Sequence, residues 1–211
     1  MAIRVFIADD HTMFREGLRR VLEDQPQIEV VGEAATGPET LSGARETRPD
    51  VVLLDLEMPG RGGFAVAEEL KSANPALRVL VLTSYRDDEY AIRSLKAGAE
   101  GFLTKDRAAA EVVKAVRAVY AGGHYLPPEL ASSLAFRLGR DEDRPAHEVL
   151  SDREFQVLRL IAAGKSTSDI AKQLNLSVKT VSTYRSRIRE KMNLDSTAAI
   201  VRYALKHGLA D

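Results

Sequence analysis

The sequence of 211 residues contains no cysteine. That absence excludes disulfide bonds, metal sites built from thiolates and a cysteine nucleophile. No apolar run reaches the roughly 18 residues that a membrane-spanning helix needs. The opening segment, MAIRVFIADD, turns acidic at once and has no signal-peptide cleavage site. These absences favour a soluble, cytoplasmic protein without membrane association.

Charge is present in ordinary amount but is divided unevenly along the chain. Residues 1–147 contain 19 Lys and Arg against 24 Asp and Glu, whereas residues 148–211 contain 11 against 7. The asymmetry predicts an acidic module joined to a basic one that suits nucleic acid, although a solvated helical surface has a similar balance. Between them, a short helix is predicted at 127–138, and GRDEDRPAHE at 139–148 has the composition of a linker.

The first module repeats a strand-like and a helix-like segment five times. Strands are predicted at 3–8, 29–34, 51–55, 78–83 and 101–105, and helices at 12–24, 38–47, 64–73, 87–97 and 108–121. The apolar run before Asp55 does not alternate with polar residues, which is typical of a strand buried on both faces. The alternation predicts an α/β fold, a doubly wound parallel sheet with helices on both faces.

Polar residues stand where these strands end: Asp9, Asp10, Asp55, Thr83 and Lys105. The carboxyl ends of parallel strands meet at one edge, where ligands bind. Three carboxylates there repel one another, and Mg²⁺ would remove the conflict. Asp55 would then attack phosphorus, Lys105 would neutralise the transferred group, and Thr83 would hydrogen-bond to it. The alternative is that each residue is a separate strand-end cap or a solvated loop residue.

The acidic pair and the segments LLDLEMPG, LTS and GAEGFLTKD resemble the receiver domain of bacterial response regulators, in order and in spacing. The resemblance covers roughly residues 1–122. It implies a flavodoxin-like, five-stranded sheet of order 2-1-3-4-5, in which Asp55 accepts a phosphoryl group from a histidine kinase. It also implies that Asp10, Asp55 and the backbone carbonyl of Glu57 bind Mg²⁺, with Asp9 supporting the ion.

The same resemblance implies a switch pair, Thr83 and Phe102, in which the hydroxyl moves to the phosphoryl group and the aromatic ring turns inward. One departure is Asp106, which stands where many receivers have proline after the strand-five lysine. Two neighbours are left open. His11 is either an additional metal ligand or an exposed residue, and Tyr85 either shapes access to the phosphoryl group or lies on the surface.

The second module is predicted to contain four helices. The first opens with a capping box formed by Ser151 and Glu154, and Ser177 caps the third, which runs to about Met192. On a helical wheel the inward stripe of this third helix consists of Val178, Val181, Ile188 and Met192. Basic and small hydroxyl residues are predicted to meet DNA, and they are Lys179, Thr180, Ser182, Thr183, Arg185, Ser186, Arg187 and Arg189. Lys191 flanks them and suits the DNA backbone.

The segment LSDREFQVLRLIAAGKSTSDIAKQLNLSVKTVSTYRSRIREKMNL closely resembles the LuxR-type helix-turn-helix of the NarL/FixJ subfamily, over about residues 148–209. The resemblance implies that the helix at 178–192 enters the major groove. Ser182 and Tyr184 replace the Lys and His of many members, so base preference is not carried over. The predicted domains are a receiver at 1–122, a linker with a short helix at 123–147, and a DNA-binding domain at 148–211.

Together these features predict a response regulator that controls transcription, and not an enzyme beyond assisting its own phosphotransfer and autodephosphorylation. Its expected partners are a histidine kinase, double-stranded promoter DNA, a second copy of the chain and RNA polymerase. Two other classes stay open. A phosphohydrolase of the haloacid-dehalogenase type would place D-x-D-x-T after the first strand, which ADDHTMF does not match. The helical tail of a receiver could instead bind protein or RNA.

Overall fold

A computed structural model of the chain describes residues 2–85, 88–128, 130–131 and 145–210. The chain divides into two compact units, Met1–Arg140 and Asp141–Asp211. Of the helix predicted at 127–138, residues 128, 130 and 131 are helical, residue 127 is not, and residues 129 and 132–138 lie outside the described residues. Among the described residues, no helix combines the length and the hydropathy of a membrane-spanning segment.

The first unit is a five-stranded, all-parallel sheet with helices. Its strands are β1 Ile3–Ala8, β2 Ile28–Ala34, β3 Val51–Asp55, β4 Arg78–Thr83 and β5 Gly101–Thr104. Its helices are α1 Thr12–Glu23, α2 Gly37–Thr47, α3 Gly63–Ala73, α4 Asp88–Lys96 and α5 Lys105–Tyr120. The strand order β2-β1-β3-β4-β5 confirms the predicted fold class. The predicted end of the fifth strand is wrong, because Lys105 is the first residue of α5.

Strand β3 is the centre of the core. Its four apolar residues, Val51 to Leu54, are fully buried, because helices cover both faces of a parallel sheet. On one face, Leu53 belongs to the same buried cluster as Val112 and Val116 of α5. This packing fixes the strand along its whole length, so the residue at its end, Asp55, has a defined position at the edge of the sheet.

The start of α3 lies directly against the end of β3. A Cβ atom on Gly63 would lie 2.5 Å from the Asp55 carbonyl oxygen and 2.6 Å from the Leu56 Cα. The backbone N–H of Gly63 donates a hydrogen bond to the Leu56 carbonyl at 3.2 Å. The loop between β3 and α3 therefore folds tightly back beside Asp55, an approach that only glycine allows without a shift of backbone.

The second unit is all-helical. A short 3₁₀ helix at Ala146–Val149 precedes α6 Asp152–Ala162, α7 Thr167–Gln173, α8 Val178–Lys191 and α9 Thr197–Lys206. The predicted capping box is present, with Ser151 N donating to Glu154 Oε2 at 2.8 Å and Ser151 Oγ accepting from Glu154 N at 3.5 Å. Between α7 and α8 the chain turns through Asn175, whose φ is 52°. A short helix, a tight turn and a longer helix give the helix-turn-helix arrangement.

The inward stripe of α8 is confirmed at three of its four positions. Val181, Ile188 and Met192 are buried, whereas Val178 is 50% exposed. The prediction is wrong for Val178 because it occupies the first helical position, next to the Ser177 cap. At this end of α8 the side chain of Val178 is therefore open to solvent.

Candidate functional site

Four of the five polar residues predicted at the rim of the sheet lie together. Asp9 and Asp10 follow β1, Asp55 ends β3, and Lys105 begins α5. One ligand atom from each of Asp9, Asp10, His11 and Asp55 lies within 4.8 Å of the others. Asp9 and Asp55 are each only 1% exposed. Parallel topology thus produces an acidic cluster, buried at Asp9 and Asp55, from segments distant in sequence.

Lys105 provides the positive charge of this cluster. Its Nζ lies 2.8 Å from Asp55 Oδ2 and 2.7 Å from Asp9 Oδ2. The ammonium also stands 5.0 Å from the centre of the Phe14 ring. Burial disfavours the ammonium, but the Asp55 and Asp9 carboxylates outweigh it and raise the pKa of Lys105. Lys105 is therefore a fixed cation beside Asp55.

The pKa of the Asp55 carboxyl lies close to neutral pH. Burial raises its pKa to about 6, with the Lys105 ammonium opposing the shift and the Asp9 carboxylate adding to it. Its Oδ1 accepts a hydrogen bond from Glu57 N at 3.2 Å, while its Oδ2 faces Lys105. A carboxylate held by two donors in a buried site has the chemistry of a positioned nucleophile.

The charges and unfilled hydrogen-bonding positions of the cluster are typical of a Mg²⁺ site. Three carboxylates face one ammonium, which leaves an excess of negative charge that a divalent cation would balance. The buried Asp10 Oδ1 makes no hydrogen bond within the described part of the chain. Its neighbour is His11 Nδ1 at 2.8 Å, which is a charge partner only when protonated. The His11 side chain is 63% exposed, so it borders the cluster from the solvent side.

Thr83 and Phe102, predicted as a switch pair, lie on the neighbouring strands. Both are fully buried. Thr83 ends β4, which pairs with β3, and its Oγ1 accepts a hydrogen bond from Tyr85 N at 3.3 Å. Phe102 lies on β5 opposite Val81 of β4. The structure therefore places both residues on the strands beyond Asp55, with the threonine at the same edge.

Tyr85 is not a free surface residue, a question that the sequence left open. Its hydroxyl donates a hydrogen bond to Glu57 Oε1, and its ring stacks on Tyr90 with centroids 4.0 Å apart. Burial raises the pKa of Tyr85, and its neighbours Tyr90 and Glu57 raise it further, so the hydroxyl stays a donor. The contact has a sequence signal, because Glu57 and Tyr85 each follow a strand end by two residues on adjacent strands.

The outer face of α8 is basic and rich in small hydroxyl groups. Of the residues predicted to meet DNA, Lys179, Thr183, Ser186, Arg187 and Arg189 are exposed, and Thr180, Ser182 and Arg185 are half-buried. Thr183 and Ser186 donate hydrogen bonds to backbone carbonyls one turn earlier, at 3.0 and 3.2 Å. These bonds hold the hydroxyl side chains against the helix.

Two basic residues near the end of α8 are held by the unit itself. Arg189 donates to the Asp195 carbonyl at 2.5 Å. Lys191 Nζ lies 2.7 Å from Glu154 Oε2, the buried carboxylate of the capping box. Burial opposes ionisation of Glu154, but Lys191 and the Ser151 donors outweigh it and lower its pKa. Sequence reasoning missed this link between α6 and α8, and no local pattern indicates it.

Two family models match separate parts of the chain. Residues 5–117 match the family described as response regulator receiver domain, and residues 148–204 match the bacterial regulatory proteins of the luxR family. The response regulator GacA of Pseudomonas viridiflava is 40% identical over 210 residues, covering 99% of this chain and 98% of GacA.

The chain is also similar to solved structures of response regulators. The structure of two RcsB dimers bound to two parallel DNAs is 29% identical with a TM-score of 0.61, over 97% of this chain and 98% of that one. The isolated REC domain of RcsB from Salmonella enterica serovar Typhimurium, in the presence of the phosphomimetic BeF3⁻, is 27% identical with a TM-score of 0.58. It covers 63% of this chain and 98% of its own length.

Proposed function

The chain belongs to the response regulator family, with a receiver domain and a LuxR-type DNA-binding domain, and we propose that phosphorylation of Asp55 controls its binding to promoter DNA. The observation that carries the proposal is the convergence of Asp9, Asp10, Asp55 and Lys105 in a chain that also contains the basic face of α8. A buried acceptor and a DNA-binding surface together are what a phosphorylation-controlled transcription regulator requires.

Asp55 is the proposed phospho-acceptor because it is buried, central and paired with Lys105. A carboxylate oxygen of Asp55 forms a bond to phosphorus while the P–N bond of a kinase phosphohistidine breaks, and the electron pair of that bond stays with the leaving imidazole. Lys105 neutralises charge on the transferred group. Thr83 then moves to donate its hydroxyl to a phosphoryl oxygen, and the ring of Phe102, which is already buried, turns further inward behind it.

Mg²⁺ is the proposed cofactor, held by Asp10, Asp55 and the backbone carbonyl of Glu57, with Asp9 supporting. The unsatisfied Asp10 Oδ1 and the excess of carboxylates fit this assignment. When bound, such an ion supplies positive charge that holds and polarises phosphoryl oxygens. The residues of the protein position the acceptor carboxylate. The only reactions that we assign to the chain are its own phosphorylation and dephosphorylation at Asp55.

Double-stranded promoter DNA is the proposed target of α8. The exposed Lys179 and Arg187 reach phosphates or guanine edges, and Thr183 and Ser186 allow close approach. RcsB dimers are bound to DNA in a similar structure, which supports a homodimer of this chain. That phosphorylation promotes this homodimer is part of the proposal. A histidine kinase as donor and RNA polymerase as a contact at the promoter complete the set of partners.

We assign a separate role to each of the three proposed segments, 1–122, 123–147 and 148–211. The first segment carries the acceptor, the second connects, and the third reads DNA. Rearrangement around Thr83 and Phe102 would change how the two domains are arranged. A protein that acts on the bacterial chromosome works in the cytoplasm, which is the localisation that we propose.

The acceptor is tested by incubating the full-length protein with phosphoramidate and Mg²⁺ and measuring the mass of the intact chain. A single added phosphoryl group is expected on the parent and none on Asp55→Ala. The matched control is Asp24→Ala, which removes an exposed carboxylate at the end of α1 and should leave phosphorylation unchanged. A phosphoryl group on Asp55→Ala would overturn the assignment.

Control of DNA binding is tested by fluorescence anisotropy on duplexes that the protein enriches from a random library. Mg²⁺ is present throughout, and beryllofluoride stands in for the phosphoryl group on Asp55. Tighter, salt-dependent binding with beryllofluoride, lost in Asp55→Ala and kept in Asp24→Ala, supports the proposal. Equal binding in both states would retain the DNA-binding function and contradict the switch. Absence of binding in both states would redirect the proposal to a protein partner.

A further inference from the structure

A cavity of about 500 Å³ opens in the first unit between the ends of α2 and α3. Its walls include the loops that lead into β3 and β4, Pro49–Asp50 and Ala76–Leu77. These loops precede the strands, so the cavity lies at the edge of the sheet opposite to Asp55. We propose that this cavity binds a small aromatic carboxylate, a planar molecule with one negative charge.

The floor of the cavity is apolar. Ala44 of α2, Leu70 of α3 and Leu77 line it with buried side chains. Tyr120, at the end of α5, is 44% exposed and adds an aromatic face. A volume of this size suits a small molecule, and an apolar, partly aromatic lining suits a planar ring.

The polar wall of the cavity has an available cation. Arg48 is exposed, and its guanidinium makes no hydrogen bond or ion pair within the described part of the chain. The carboxylates of the wall, in contrast, each have a donor of their own. Asp50 accepts from Arg4 N at 2.9 Å, and Glu69 is bound by Arg45 and Arg61. Among the arginines of the wall, Arg45 and Arg78 already pair with carboxylates, which leaves Arg48, whose planar donor fork matches a carboxylate.

The balance of charge selects the ligand further. Arg45 and Arg78 are paired with Glu69 and Glu100, so among the described residues Arg48 supplies the one uncompensated positive charge of the wall, which matches a ligand with a single negative charge. The same unpaired arginine disfavours a cation, and the Asp50 carboxylate in the lining disfavours a second negative charge on the ligand. A monoanion with an aromatic body satisfies both constraints. The inference does not rest on the proposed function of Asp55, which lies at the other edge of the sheet.

The test is isothermal titration of the full-length protein with three probes of the same shape: naphthoate, neutral naphthamide and cationic naphthylmethylammonium. Naphthoate is expected to bind about tenfold more tightly than naphthamide, because one charge-assisted pair contributes roughly that factor. The variant Arg48→Gln should reduce naphthoate to the affinity of naphthamide. Arg20→Gln, an exposed arginine of α1 that does not line the cavity, is the matched control and should bind as the parent does.

A second pair of variants tests the location. Ala73 is exposed and lines the cavity, so Ala73→Phe should block the opening and weaken both naphthoate and naphthamide. Ser72→Phe adds the same bulk at an exposed neighbour outside the cavity and should have no effect. Naphthoate affinity equal to that of naphthamide would overturn the proposal, as would full binding by Arg48→Gln or by Ala73→Phe. Binding in Asp55→Ala should equal binding in the parent, which separates this site from the acceptor.

Discussion

The ammonium of Lys105 lies 2.8 Å from the Asp55 carboxylate, across 50 residues of sequence. The same ammonium lies 2.7 Å from Asp9. A single cation is thus shared between the proposed acceptor and a supporting acid. It stands where negative charge would accumulate when a phosphoryl group reaches Asp55, and its removal should have a kinetic effect.

We expect Lys105→Ala to slow the phosphorylation of Asp55 by phosphoramidate roughly 100-fold, because one charge-stabilising donor typically contributes on that order. The measurement is the time course of intact mass in the presence of Mg²⁺. Lys114→Ala is the matched control, since Lys114 is an exposed lysine on the same helix. An unchanged rate in Lys105→Ala would contradict the assigned role of the ammonium, and equal slowing in both variants would point to a general effect on α5.

The raised pKa of Asp55 predicts a stability effect with a definite sign. The value rises from 3.8 to about 6 on folding, so the stability that this group contributes is complete below the lower value and is lost as pH rises through the higher one. In EDTA at about pH 8, Asp55→Asn should therefore have a free energy of unfolding up to roughly 3 kcal/mol above that of the parent. Urea unfolding followed by circular dichroism measures the difference.

The same experiment has two internal checks. Near pH 4 the parent and Asp55→Asn should have similar stability, because the parent carboxyl is then largely protonated in the folded state. Saturating Mg²⁺ should narrow the difference at about pH 8, since it stabilises only a folded protein that binds it. The interpretation that burial raises the pKa of Asp55 would be contradicted by a stability difference between the parent and Asp55→Asn that does not change with pH. It would also be contradicted by an Asp55→Asn variant less stable than the parent at about pH 8.

The fold of the first unit could be predicted because its signal is local and repeated. The five apolar runs are long enough to specify strands, and their alternation with helices allows few topologies. The boundary at Lys105 could not be predicted in the same way. Thr104 and Lys105 continue from strand to helix without an intervening loop, and no glycine or proline marks the change.

The candidate site also contains residues that the sequence predicts and contacts that it does not. Asp9, Asp10, Asp55 and Lys105 were predictable because each stands at a strand end, and topology brings strand ends together. Pairs between side chains of different helices were not. Lys191 was interpreted as a residue that flanks the DNA-binding face, but its partner Glu154 lies 37 residues earlier on α6. A contact of that kind depends on helix packing, which periodicity does not encode.

The hydrogen bonds of Glu100 predict that the first unit loses stability as the pH falls. Although burial opposes ionisation, donors from Lys71, Arg78 and Val79 N hold the pKa of Glu100 below 4.5. Their distances are 2.5, 3.1 and 2.9 Å. A lowered pKa contributes stability above the unfolded value that is lost as pH falls through the folded value. Acidification below about pH 4.5 should thus destabilise the parent partly through this residue.

We expect Glu100→Gln to lower the free energy of unfolding at neutral pH by roughly 1–3 kcal/mol, because the buried donors lose a charged acceptor. Between neutral and acidic pH the stability of the variant should fall less steeply than that of the parent. Glu68→Gln is the matched control, at an exposed position of α3, and should follow the parent. Parallel pH profiles for Glu100→Gln and the parent would show that the network is not the source of the dependence.

Arg187 and Lys191 lie one turn apart on α8 and should behave in opposite ways. Arg187 is exposed, so Arg187→Ala should weaken binding to duplex DNA and reduce the slope of log affinity against log salt by about 1, with little change in stability. Lys191→Ala leaves the buried Glu154 without its ammonium partner at 2.7 Å and should cost about 1–2 kcal/mol of stability in the second unit. Its salt slope should remain that of the parent, as measured by fluorescence anisotropy at several salt concentrations. The reverse outcome, a reduced salt slope in Lys191→Ala and a destabilised Arg187→Ala, would show that the two roles are exchanged.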